Sequence, residues 1–227
     1  MAKLVLFGTG RGASVAHRFL SHDTEHEVVA FTVDATYIKA KSHRGLPLVP
    51  FEEVERSYPP DRFRMLVLLG YQGMNGLRER KFKESKAKGY ILESYIASDI
   101  FRVEPIAAGE NCFIMDNQSI SLDVHIGDNV VMWSSNHVGD MTVIEDHAWV
   151  SSHVTIAANV RIGQGAFLGI GATVANGVSV GARSFVGADV LLSAELAGGA
   201  VRVAGQPESL GVDSQSFMRV MIAGGKL

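Results

Sequence analysis

Four histidines, His125, His137, His147 and His153, fall close together in the second half of the chain. Imidazole is the side chain that gives and takes a proton near neutral pH without help from its surroundings. His137 stands apart, because Asn136, Asp140 and Asp146 are near enough in sequence to orient it. At the other end of the chain, Gly8-Thr-Gly-Arg-Gly12 joins the apolar run Leu4–Phe7 to a helical pattern. Such a strand–turn–helix lets backbone N–H groups and a helix N-terminus approach a phosphate. Ala13 occupies the third glycine position of the full G-x-G-x-x-G pattern, so two readings stay open: a phosphate or nucleotide site, and a plain structural turn. A second buried strand, Glu27–Val33, ends at Asp34, whose carboxylate is suited to accept a hydrogen bond from a ribose or base. Gly8, Gly10, Arg11 and Asp34 are therefore the candidate substrate-binding set.

These residues are positioned by two kinds of element. From Ile114 to Leu192, every sixth residue is aliphatic, Met included, for fourteen positions without a slip. In a chain that is 47% hydrophobic this has a chance likelihood of roughly 10⁻⁵ to 10⁻⁴, so the ladder is a true internal repeat. The residue two before each rung is mostly Val, Ala, Cys or Thr, and glycine follows the rung at 127, 139, 163, 169, 181 and 187. A small or β-branched residue at i−2 and a large aliphatic at i describe a short strand with both side chains inward. Three hexads per turn make a triangular coil that stacks on the next at about 4.8 Å. In this register His125 and His137 face outward, while His147 and His153 fall nearer the corners. Trp133, Trp149, Arg161 and Arg183 are read as outward too, the tryptophans as a subunit interface or a stacking surface for a sugar or adenine. The arginines are candidates for a coenzyme phosphate or an interface ion pair.

Before the ladder, strands alternate with helices. The strands are read at Leu4–Phe7, Glu27–Val33, Met65–Gly70 and Tyr90–Tyr95, with Gly45–Pro50 as a loop into a short helix. Residues 75–88 read as a charged amphipathic helix with Asn75 as N-cap, Gly89 beyond its end and a solvated charged face. This makes a small Rossmann-like parallel α/β domain over residues 1–95, a β-helix over 96–208 and a tail over 209–227 that caps the last coil or lies on a neighbouring subunit.

The formal net charge of −3 supplies no basic field for nucleic acid or a membrane surface. Cys112 is the only cysteine, which excludes an intrachain disulfide and suggests a reducing compartment. The Leu4–Phe7 run is too short for a signal peptide or a membrane span, so a cytoplasmic protein is expected. No metal is called for.

The order of parts resembles the sialic-acid O-acetyltransferase-like family of bacterial sugar O- and N-acetyltransferases. The resemblance spans nearly the whole chain and rests on Gly8-Thr-Gly-Arg-Gly, Gly45-Leu-Pro-Leu-Val-Pro50, Trp133-Ser-Ser-Asn-His-Val-Gly, Val150-Ser-Ser-His-Val-Thr-Ile, Phe167-Leu-Gly-Ile-Gly-Ala-Thr-Val and the closing Val-Ala-Gly-Gln-Pro. It implies a left-handed parallel β-helix, against the usual right-handed crossover, in a homotrimer with active sites between subunits. Acetyl-CoA would lie in the groove between neighbouring β-helices as acyl donor, and a sugar or nucleotide-sugar would be the acceptor.

Acyl transfer from a thioester needs a base for the attacking amine or hydroxyl and a donor for the oxyanion. By resemblance the catalytic histidine sits two places after a rung, where this chain has Asp140, followed by Met141. Either His137 works from a neighbouring position with Asp140 as its partner, or Asp140 or the substrate itself removes the proton. Ala158 stands where the family offers a glycine N–H to the oxyanion; with Gly171 it forms the expected cofactor-binding pair. A neutral sugar amine needs little base, which tilts the reading toward an amino-sugar acceptor. The rival readings are a non-catalytic β-helix that binds a sugar nucleotide or serves as scaffold, and a nucleotide-dependent oxidoreductase built on the Gly-rich turn.

Overall fold

The computed structural model describes residues 1–102, 104–205 and 211–222. The α/β unit is built on β1 (Lys3–Phe7), α1 (Arg11–Asp23), β2 (Glu27–Val33), β3 (Ser42–His43), β4 (Leu46–Pro50), α2 (Val54–Ser57), β5 (Arg64–Val67) and α3 (Gly76–Ala87). Its sheet has the order β3-β4-β2-β1-β5, parallel except for the β3–β4 hairpin. β1 and β5 are buried along almost their whole length because helices or the second unit cover both faces, which is why they read as continuous apolar runs. α1 buries Ala13, Ala16 and Leu20 on one stripe.

Two expectations for this unit change. Leu46–Pro50 is a strand rather than a loop; Pro47 and Pro50 disguise it, yet Pro47 is tolerated next to the two-residue edge strand β3 and Pro50 at the strand's end opposite Val33. The segment 90–95 is not a full fourth strand: Leu92 makes one bridge to Met65, and Tyr95–Ile96 already pairs with Phe113–Ile114 of the β-helix.

Every rung from Ile114 to Leu192 is buried, none more than 4% exposed. The two-residue strands pair in parallel with those 18 residues on, as in Ser119↔His137 and Trp149↔Phe167, so three hexads make one turn. Three faces result. The first carries Tyr95–Ile96, Phe113–Ile114, Val131–Met132, Trp149–Val150, Phe167–Leu168, Phe185–Val186 and Val201–Arg202. The second runs from Phe101–Arg102 through Ser119–Ile120, His137–Val138, Thr155–Ile156 and Thr173–Val174 to Leu191–Leu192. The third runs from Ala107–Ala108 to Ser179–Val180. The first coil therefore keeps the same register back to Ile96, hidden in the sequence by Arg102 and Ala108 on the rungs.

The hexad also fixes the corners. One residue in each hexad from Asn111 to Asp189 turns with positive φ, and six of the eleven non-glycine cases are Asn or Asp, the residues best able to adopt the left-handed region after glycine. The glycine after a rung answers a different demand: a Cβ on Gly139 would lie 2.6 Å from the Ala158 nitrogen of the next coil. After Leu192 the pairing shortens by two residues, with Val180↔Leu196 and Phe185↔Val201. A final helix, α4 (Ser214–Ile222), begins after an exposed turn. Among the described residues no helix is long and apolar enough to cross a membrane.

Candidate functional site

The Gly-rich turn leaves β1 at Gly8, whose φ of +126° and 2.9 Å clearance from the Leu68 carbonyl oxygen admit no side chain. Gly10 is different, since a Cβ there would meet nothing within 4 Å; the protein itself does not require glycine, and the space is open to a ligand. Two cavities meet at this turn. One, of ≈ 360 Å³, is lined by Gly8, Gly10, Asp34, Tyr37, Lys39, Arg80 and Lys81. The other, of ≈ 340 Å³, holds Gly10, Arg11, Gly12, Gly70, Gln72, Trp133 and Trp149. The structure thus gathers Gly8, Gly10 and Asp34 in one cavity, with Arg11 across Gly10 in its neighbour. Asp34 accepts a hydrogen bond from Lys81 at 2.5 Å, and Lys81 is nearly buried over the rings of Phe7 and Phe51.

The tryptophans are outward from the coil but not free. Trp149 is only 7% exposed, covered by the α/β unit, with Tyr71 at 5.3 Å and the Arg78 guanidinium at 5.7 Å from its ring. Trp133 is half-buried, and both tryptophans wall the cavity beside Gly10–Gly12. A third cavity of ≈ 450 Å³ shares both tryptophans and continues along the first face over Tyr71, Ser151, Ser152, Phe167, Ile170 and Phe185. Outward positions 113, 149, 167 and 185 on this face are aromatic, with Val131 between the first two, a pattern at multiples of eighteen that marks a covered face and that single-hexad counting passes over.

α3 is held against the corner between the third and first faces, so the expected solvated charge face holds only for Arg80, Lys83 and Lys86, which are exposed. Arg78 is fully buried and Glu79 and Lys81 nearly so. Asn75 sits at the N-cap position with φ of +65° but does not cap the helix; its side chain donates to the Gly165 carbonyl at 3.0 Å. The corner column 111, 129, 147, 165 and 183 carries most of the polar contacts of α3 with the β-helix. Asn111 exchanges two hydrogen bonds with the backbone of Val67. Arg78 donates to the carbonyls of Asn129, His147 and Ala148 and to Asn129 Oδ1. Arg183 is at this corner rather than on an open face, and pairs with Glu79 at 2.5 Å. Burial opposes ionisation of Glu79, but hydrogen bonds from Lys83 and Arg183 hold its carboxyl down at about 2. His147 is buried, and that burial pushes its pKa below the ordinary value against the pull of Glu79. Asn129 Oδ1 accepts from Asn111 and Arg78, so its amide nitrogen faces His147 Nδ1 at 3.0 Å as a donor. His147 is therefore the neutral tautomer with its proton on Nε2, toward Glu79 at 3.8 Å.

His137 stands exposed on the second face, its Nδ1 3.4 Å from Ser119 Oγ. Among the described residues, none of the three neighbours expected to orient it, Asn136, Asp140 and Asp146, does so. The Asn136 side chain turns inward and accepts the Val154 N–H at 2.8 Å, and Asp146 belongs to the corner beyond the third face, where it accepts the Asp128 N–H at 2.8 Å. Asp140 is exposed at the corner between the second and third faces, accepting the Leu122 N–H at 3.1 Å. Ala158 lies one coil above it, and among the described residues its N–H has no acceptor. Gly171 occupies a different corner, between the first and second faces, with φ of +70° and its N–H donated to Ser152 at 3.1 Å. One chain therefore brings Asp140 and Ala158 together but leaves Gly171 and the Gly-rich turn apart from them. Arg161, on the third face, is paired with Glu145.

Among solved structures, the acetyltransferase domain of PglB from Neisseria gonorrhoeae FA1090, in complex with acetyl coenzyme A, matches with a TM-score of 0.79 at 19% identity over 89% of this chain and 96% of that one. The fold is shared from end to end. A histidine-to-asparagine variant of perosamine N-acetyltransferase from Caulobacter crescentus, in complex with CoA and GDP-perosamine, matches with a TM-score of 0.78 at 24% identity over 90% and 94%. WeeI from Acinetobacter baumannii AYE matches with a TM-score of 0.77 at 14% identity over 90% and 97%. The β-helix of this chain is the left-handed parallel kind. No family model matches the chain, and no curated protein matches it significantly.

Proposed function

We propose that this chain is a coenzyme A-dependent acyltransferase that moves an acetyl group from acetyl-CoA to an amino or hydroxyl group of a nucleotide-linked or related sugar, as a step in surface polysaccharide synthesis. The observation that carries the reading is the pair of ligand-sized cavities at Gly8–Gly12, one of them walled by Trp133 and Trp149 of the β-helix. The same order of units is found in the PglB domain and the perosamine N-acetyltransferase over about nine-tenths of each chain.

In this reading the acceptor nitrogen or oxygen attacks the thioester carbonyl carbon, the C–S bond breaks as the coenzyme A thiolate leaves, and the acceptor loses a proton to a base. His137 and Asp140 are the proposed bases. The open Ala158 N–H is the proposed donor to the oxyanion, and Gly171 the second proposed coenzyme contact. Asp140 lies at the corner opposite the first face, so an acceptor seated at the Gly-rich turn of one chain would meet Asp140 of another; the homotrimer with sites between subunits fits this separation.

A second reading, a non-catalytic sugar-nucleotide binding protein, is favoured by one observation. Asp140 accepts a backbone N–H from the previous coil in the manner of Asp128 and Asp146, which is a structural task. Coenzyme A release measured with amino- and hydroxyl-sugar nucleotides separates the two. We expect turnover with at least one acceptor, and His137→Ala or Asp140→Asn to lower kcat by about 10²-fold or more. If neither change lowers the rate the base assignment falls, and if no acceptor turns over the binding reading stands.

A further inference from the structure

The groove over the first face is unlike the two cavities at the Gly-rich turn. Its lining contains five aromatic rings and no charged side chain. Tyr71, 53% exposed, lies 4.8 Å from Phe167, which stacks on Phe185 at 4.7 Å with an interplanar angle of 1°. Tyr71 is inclined at 56° to Phe167, and the stacked Phe167 and Phe185 turn their rims to the groove, so the open aromatic surface of this platform comes from Tyr71 and Trp133, edged by the hydroxyls of Ser151 and Ser152. The three cavities are also continuous: the first two share Gly10, Leu69 and Leu77, and the second shares Trp133 and Trp149 with the platform.

From this sequence of compartments we infer that the platform of Tyr71 and Trp133, over the buried Phe167, seats the ring of a sugar whose diphosphate lies at Gly8–Gly12 and whose nucleoside lies beside Asp34 and Tyr37. The inference rests on the nucleotide-sugar reading above and adds the residues that select the sugar. Charge divides the track. Lys39, Arg80, Lys81 and Arg11 line the part that would take the anionic diphosphate and its nucleoside, while the platform has no charge to offer or to desolvate. A pyranose presents C–H groups on its faces and hydroxyls on its rim, which suits aromatic rings bordered by serines. A base fits the compartment holding the Asp34 carboxylate better, because a base needs directed polar partners.

The chain has two tryptophans, and both wall this groove, so intrinsic fluorescence of the full-length protein reports on it directly. The probes are UDP, GDP and dTDP, each against its hexose-linked form, with GDP-perosamine in the set. For the preferred nucleotide, we expect the sugar-linked form to bind about tenfold more tightly than the free diphosphate and to alter tryptophan emission further. Tyr71→Ala and Trp133→Phe, checked for unchanged thermal melting, are expected to differ. Tyr71→Ala removes most of the tenfold preference while leaving the affinity for the free diphosphate unchanged; Trp133→Phe keeps a ring and retains it.

Equal binding of free and sugar-linked forms overturns the platform assignment while leaving the nucleotide reading intact. So does an equal loss of both on Tyr71→Ala, which would place the base there. If Tyr71→Ala instead lowers the mass measured by sedimentation and spares the preference, the platform is an interface with a second copy, and the assignment is again overturned. Failure of every nucleotide to bind overturns the nucleotide reading itself, and the platform assignment with it.

Discussion

Arg78 is the residue on which the joint between the two units depends most. Its guanidinium is fully buried and donates to the carbonyls of Asn129, His147 and Ala148 and to the Asn129 side chain. Those carbonyls belong to a β-helix corner, and with α3 in place water has no route to them. Arg78→Met keeps much of the aliphatic stem and removes every donor. Each buried acceptor left unpaired costs about 1–3 kcal/mol, and breaking a buried polar cluster by removing one partner costs about 3–5 kcal/mol; the loss should fall in that range. Urea unfolding followed by tryptophan emission is the assay, because Trp149 lies under the Arg78 guanidinium. With a slope of about 1–3 kcal/mol per molar urea, the midpoint for the joint should move down by about 1–5 M. A change below about 1 kcal/mol would refute the claim that this cluster holds the α/β unit on the β-helix.

Three further outcomes follow from the same contacts. Gly139→Ala should destabilise the β-helix by about 1–3 kcal/mol, because its Cβ would strike backbone 2.6 Å away; Gly10→Ala, with nothing within 4 Å, should leave the melting temperature in place, and thermal melts compare the two. His147 has its pKa lowered in the folded protein by burial, so the unfolded chain binds the extra proton first: its contribution to stability is full above about pH 6.5 and falls with pH below it, by at most about 1.4 kcal/mol per pH unit. Urea midpoints of His147→Asn should therefore show a shallower decline than the natural chain between pH 6.5 and 5. Mixing a Gly8→Val chain with an Asp140→Asn chain should restore up to about a quarter of the natural activity if acceptor and base come from different copies, and none if both act within one chain.

The repeat made the β-helix legible, because a rung that must be buried in every coil leaves an apolar mark every six residues. Register, face membership and the outward direction of His125 and His137 all follow from that mark. Three hexads per turn followed from it too; what it could not show was where the α/β unit docks, which decides what each outward residue meets. Trp149 and His147 looked like surface or corner residues until the third hexad brought them under α3. Likewise, Arg78, Glu79 and Lys81 read as solvated because a helix rich in charge has no apolar stripe to betray a partner; its partner is a row of corner carbonyls and amides, which a hydropathy pattern does not record. Asn75 looked like a cap by residue type, but its left-handed backbone turns the side chain to Gly165. Gly8, Gly10 and Asp34 were legible because a strand end and a turn fix their place locally.

The division of the three faces explains why the Gly-rich turn and the proposed bases are separated along this chain. A β-helix coil is too regular to form a deep pocket: its outward side chains lie on flat walls, and its unbroken register from Ile114 to Leu192 leaves no room for an inserted loop. A concave site therefore needs a second surface. On the first face the α/β unit supplies it, and the three cavities lie where Gly10–Gly12, Gln72 and Tyr71 stand over the aromatic column. Docking α3 at the neighbouring corner ties this unit to one wall and one corner, and leaves the second face with His137 and the far corner with Asp140 open. Any pocket at those positions has to be closed by another molecule. The polar column at 111, 129, 147, 165 and 183 thus has a role beyond holding two units together: it fixes which corner of the β-helix is closed and which stay available for a second copy.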